Sequence, residues 1–130
     1  MMGLLDLDFK EVHMGYFTDY SLMWDSDKPE DGKNISEFIS NLPYWNGEEF
    51  DYSTGEIYFG EAKWYDYQKD LCALSKEFPN ILFHMYGNGD DYDDLWEEHW
   101  QNGKYQHCHA EIPPFNRSKM TTYVEQNSLS

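Results

Sequence analysis

The sequence predicts an α+β domain, an antiparallel sheet of four to five strands with two helices on one face. Three observations carry that expectation. Asn102-Gly103 is a strong hairpin signal, because a type I′ turn needs positive φ at both central residues. Tyr67, Leu71, Leu74 and Phe78 recur at helical spacing as one apolar stripe. Between and around them lie short runs of β-branched and aromatic residues, bounded by Gly, Pro, Asn and Asp.

Met1 to Lys10 alternates leucines and Phe9 with Asp6 and Asp8, reading as an edge strand or a short amphipathic piece. Tyr20, Leu22 and Trp24 share one side of a period-two pattern, which places a strand near residues 15 to 25. Asp25 to Lys33 reads as a polar loop. Asn34 is the expected cap of the first helix, with Glu37 as its capping-box partner. Ile35, Phe38, Ile39 and Leu42 form its apolar face and Pro43 its end. Tyr44 to Thr54 reads as a loop or short hairpin around Asn46-Gly47, and Glu56 to Trp64 as a strand with an irregularity at Gly60. Asp66 is the expected cap of the second helix, which Pro79 stops. A three-stranded meander follows from Pro79 to Ile112, with Ile81 to Tyr86 as its first strand and a turn opening at Asn88-Gly89. Pro113-Pro114 breaks the sheet. One domain over residues 1–115 and a loose tail over 116–130 is the expected organisation.

A two-residue turn at Asn102-Gly103 fixes the facing pairs of the last hairpin. Trp100 opposes Tyr105, Glu98 opposes His107, and Trp96 opposes His109, all on one face. Leu95, Glu97, His99, Gln106, Cys108 and Ile112 belong to the other.

The chain carries 25 Asp+Glu against 9 Lys+Arg, a formal charge of -16. Such a chain repels nucleic acid and anionic membranes and is drawn to basic surfaces. Acidic disordered chains lack aromatics, whereas 18% of this one is Phe, Trp or Tyr, so a packed body is expected. Cys72 and Cys108 form neither a CxxC pair nor a disulfide framework, which favours a reducing compartment. No secretory signal and no membrane-length apolar run is seen, so the expected location is cytoplasmic.

Asp90, Asp91, Asp93, Asp94, Glu97 and Glu98 place six carboxylates in nine residues, with Tyr92 and Trp96 among them. These eight residues are the expected partner-binding site. Carboxylates spaced along the backbone present Arg and Lys with the geometry that phosphates would, and aromatics anchor protein interfaces. The run does not keep the register of an EF-hand, and as a solvated charge run it needs no partner at all. Further acid gathers at Asp25, Asp27, Glu30 and Asp31, and at Glu48, Glu49, Asp51 and Glu56. An aromatic platform for single-stranded bases normally has a basic rim; this rim is acidic.

Catalytic motifs are missing: there is no GxSxG, Walker loop or HExxH. Cys108 lies between His107 and His109, but strand neighbours point to opposite faces. His107, His109 and Glu98 have donors suited to zinc, yet a His packed on Trp with one carboxylate partner needs no ion. No cofactor and no metal is expected.

A helix ending in EFP, then NILFHMYG, an acidic loop, WEEHWQNGK and an alternating strand resembles a class of small ferredoxin-like proteins carried by phages and plasmids. The resemblance covers about residues 56 to 112 and implies a ferredoxin-like variant of the fold. In size, charge and lack of catalytic motifs the chain also resembles acidic anti-CRISPR and nucleic-acid-mimic inhibitors. The function expected is a non-catalytic phage or mobile-element inhibitor that occupies the basic nucleic-acid site of a host defence nuclease. The alternatives are a small enzyme or metal/ligand-binding protein using the His/Glu face, and an acidic structural partner.

Overall fold

The computed structural model describes residues 16–91 and 93–125. The expectation for residues 1–10 and that for Tyr92 therefore lie outside the described residues. Five strands form one antiparallel sheet: β1 (Thr18–Trp24), β2 (Glu56–Ala62), β3 (Phe83–Gly89), β4 (Leu95–Gln101) and β5 (Lys104–His109), in the order β2-β1-β3-β4-β5. Helix α1 (Pro29–Ser40) links β1 to β2, and α2 (Tyr67–Glu77) links β2 to β3. The architecture is α+β, as the sequence predicts.

Alternation along the strands sorts their side chains. Tyr20, Leu22, Ile57, Phe83, Met85 and Trp100 form one buried cluster with Ile35 and Ile39 of α1 and Leu71 and Leu74 of α2. One face of the sheet is thus covered by both helices. Trp64 is fully buried at its centre, edge-on to Tyr20 and Trp45, and its Nε1 donates to Asp70 Oδ2 at 2.8 Å.

The irregularity at Gly60 is a bulge. Tyr20 pairs with Gly60 and Ser21 with Tyr58, leaving Phe59 as the extra residue, while Gly60 takes a φ of 73°. The bulge reverses the alternation, so Tyr58 and Glu61 fall on the same side of β2. At the last hairpin Asn102 and Gly103 have φ of 48° and 78°, the type I′ turn expected. Ser75 Oγ of α2 accepts the Gly103 N–H at 2.9 Å and ties that turn to the helix.

Four local expectations are corrected. Helix α1 starts at Pro29, with Lys28 as N-cap, so half of the predicted 25–33 loop is helical and Asn34 lies inside the helix. Proline is pre-set for a first helical turn, and Glu30 and Asp31 there suit the helix dipole; this signal overrides the capping box. Leu42 lies beyond the helix end, though it still packs on the core. Asp66 is the N-cap of α2 but makes no side-chain capping bond. Asn88-Gly89 opens no turn: β3 continues through both, pairing with Asp19 and Thr18. Glycine at 89 answers a close approach, since a Cβ there would lie 2.0 Å from the Asp94 carboxylate.

Candidate functional site

The acidic run divides among three environments. Glu98 points into the helix-covered face and is fully buried. Its Oε2 accepts from Tyr67 Oη at 3.0 Å and Gln68 Nε2 at 2.7 Å, and lies 2.7 Å from His107 Nδ1. Its Oε1 accepts from Trp100 Nε1 at 2.8 Å. A buried carboxylate with this many donors is satisfied in place. Burial, and then the Glu98 charge, push the Tyr67 phenol far up. Trp96 roofs the knot, stacked between Tyr67 and His107. Glu98, expected at a partner surface, thus belongs to the packed side of the sheet, whereas Trp96 is half-buried and also lines the groove on the open side. The alternative metal set also comes apart: Glu98 is saturated, and His109 Nε2 faces Asp94 Oδ1 at 3.3 Å.

The loop from Asp90 to Asp94 is partly structural. Asp90 Oδ2 accepts the Phe17 N–H at 2.8 Å, and Asp94 accepts the Tyr16 hydroxyl. Burial and that hydrogen bond push the Tyr16 phenol up to about 12. Asp91 and Asp93 are exposed, as is Asp90.

Glu97, by contrast, faces the other side of the sheet, which no helix covers among the described residues. There a groove of about 600 Å³ is lined by Asp19, Tyr58, Tyr86, Leu95, Glu97 and Cys108, among others. Tyr58 is 64% exposed, Tyr86 40% and Leu95 47%. Tyr58 Oη donates to Asp19 Oδ1 at 3.1 Å, which raises the Tyr58 phenol. Cys108 is exposed on this open side, across from Glu97; His107 points the other way, onto Glu98, while His109 also reaches the groove. Beside the groove His84 opposes His99 across β3 and β4, with ring centroids 4.0 Å apart.

Register also places the three acidic groups. Thr18 at the start of β1 pairs with Gly89, just before the 90–94 loop. The end of β1 pairs with the starts of β2 and β3, through Met23–Glu56 and Trp24–Phe83. Asp25 and Glu56 therefore lie at one end of the sheet and the 90–94 loop at the opposite end, while Glu48 lies beside the C-terminal end of α1, where Ser40 Oγ donates to its carbonyl at 2.6 Å.

Asp19, Tyr86 and His84 were missed by sequence reasoning. Alternation assigns Glu97, His99 and Cys108 to one face, but the β1–β2 and β1–β3 pairings span long connections whose register no local signal sets. No family model, curated protein or solved structure matches the chain.

Proposed function

We propose that this chain is a non-catalytic acidic binding protein that occupies a basic, nucleic-acid-binding surface of another protein. The observation that carries the reading is the open sheet face: exposed Tyr58, Tyr86 and Leu95 in a groove that Asp19 and Glu97 help to line. The 90–94 loop, with Asp91 and Asp93 exposed, joins Asn88 to Leu95, both of which line that groove. Aromatic anchors rimmed by carboxylates suit a partner rich in Arg and Lys, and the net charge of -16 steers such a partner in.

The resemblance drawn from the sequence favours a host defence nuclease, of CRISPR or restriction type, as the target of a phage or mobile-element inhibitor in the bacterial cytoplasm. The ferredoxin-like reading belongs with this proposal. It is supported by the β2-α2-β3 unit, whose strands flank β1 as a split β-α-β, within an element order of β-α-β-α-β-β-β.

The test is a cleavage assay with a panel of such nucleases. Inhibition should be competitive with the DNA or RNA substrate and weaken steeply with salt, because exposed ion pairs are screened over about 8 Å at physiological ionic strength. The triple variant Asp19→Asn, Asp91→Asn, Asp93→Asn should lose about tenfold or more in inhibition constant, which is about 1.4 kcal/mol. Asp90 and Asp94 stay, because they hold Phe17 and Tyr16. Inhibition that is non-competitive, or equally strong in the triple variant, overturns the reading.

A further inference from the structure

His84, Glu97 and His99 stand together on the open face of the two innermost strands of the β1-β3-β4-β5 region. One ligating atom from each lies within 4.8 Å of the other two. His84 and His99 are direct cross-strand partners, and Glu97 is the next residue of β4 on the same face. His84 Nε2 is 3.4 Å from Glu97 Oε2, the length of an edge of a zinc tetrahedron, about 3.3–3.4 Å for metal–ligand bonds of about 2.0–2.1 Å. That nitrogen is buried, and although Glu97 is near, it makes no hydrogen bond with any described group. A buried ring nitrogen without a partner needs an explanation, and an electron-pair acceptor placed between it and the carboxylate supplies one.

From this geometry we infer a binding site for a divalent first-row transition metal of the zinc type, formed by His84, Glu97 and His99. Two imidazoles and a carboxylate are borderline-to-hard donors that suit zinc and its neighbours rather than magnesium or calcium, which take oxygen ligands. β3 and β4 are each paired on both sides, so the backbone holds the three residues within reach of one ion, and a turn of the His99 ring out of its stack on His84, 4.0 Å between centroids, brings both ring lone pairs onto it. Tyr86 packs on the His84 ring at 4.2 Å between centroids and limits its movement. Three protein ligands leave at least one coordination position for an outside group. Glu97 and Tyr86 also line the 600 Å³ groove, so that position lies at the groove's edge. The site is independent of the acidic-mimic reading, which needs no metal. It is also distinct from the His107, His109 and Glu98 set on the opposite face.

The experiment uses the full chain, stripped with a chelator and titrated with zinc alone at pH 7 by calorimetry. The expected result is one site per chain. His84→Ala and His99→Ala should abolish it, and Glu97→Gln should weaken it about tenfold or more. The double variant His107→Ala, His109→Ala should leave it intact, and excess magnesium should not displace zinc. Imidazole NMR signals of His84 and His99 should shift on titration, which reports the site even if one alanine variant folds poorly. Uptake of several ions per chain with equal strength in all variants would mean adsorption to the acidic surface and overturn the proposal. Loss of binding only in the His107/His109 variant, or no binding at all, would overturn it too.

Discussion

Glu97 and Glu98 are neighbours in the chain and opposites in the fold. Each has a histidine on a neighbouring strand, His107 directly across from Glu98 and His84 diagonal to Glu97, and an aromatic ring close by. Glu98 points under the helices, is fully buried, and is surrounded by Tyr67, Gln68, Trp100 and His107. Glu97 points to the open face, where His84 Nε2 lies 3.4 Å from its carboxylate. The same side chain is structural where donors converge on it and available where they do not. What decides is the two-residue period of the strand together with which face the helices cover.

The largest expected effect breaks the buried member of this pair. Glu98→Leu should cost about 3–5 kcal/mol, because buried donors lose their acceptor. Glu97→Leu should stay within about 0.5 kcal/mol. Urea denaturation of both variants measures the contrast, and equal costs would mean the two faces are not different in kind.

A second substitution probes the roof over Glu98. Glycine at 87 is required by close approach, since a Cβ there would lie 2.0 Å from the Trp96 ring. Gly87→Ala should destabilise by about 1–3 kcal/mol. Trp96 fluorescence should change with it. An unshifted unfolding midpoint would show that the ring does not rest on this strand.

Alkaline titration separates the faces by cause. Tyr20 is pushed up to about 12, chiefly by burial, as Tyr16 is by burial and Asp94. The folded state keeps protons that the unfolded chain releases near the ordinary value of 10.0, so their stabilisation is complete below pH 10. It is lost as pH rises from there toward about 12. Melting temperatures should fall across that window. On the open face Tyr58 is raised first by its hydrogen bond to Asp19. Asp19→Asn should let one phenol ionise earlier in an absorbance titration, without moving the late-titrating group. A unison shift of all phenols would contradict the assignment.

The smallest effect is expected in the loop. Asp91→Asn with Asp93→Asn should change stability by less than about 0.5 kcal/mol, and toward greater stability if at all, since like charges are removed. Adding Asp90→Asn and Asp94→Asn should then destabilise measurably, because those two hold Phe17, Tyr16 and His109. If the fourfold variant is as stable as the double one, the loop contacts carry no weight.

By itself the sequence determined what depends on neighbours along the chain. The type I′ turn at Asn102-Gly103 and the pairs it fixes, Trp100–Tyr105, Glu98–His107 and Trp96–His109, follow from a two-residue loop with no freedom of register. The α2 stripe and the bulge at Gly60 were legible in the same way, from helical spacing and from glycine in a strand. Even the start of α1 was written locally, in Pro29 and the acids after it, although the capping box at Asn34 competed with that signal. Only the tertiary structure decided which face the helices cover, and so which glutamate is buried. It alone brought His84 beside Glu97 and His99, and Tyr58 beside Asp19. These juxtapositions join strands across a loop of free register or across a whole helix, where contact is set by packing of the assembled sheet rather than by any adjacent residues.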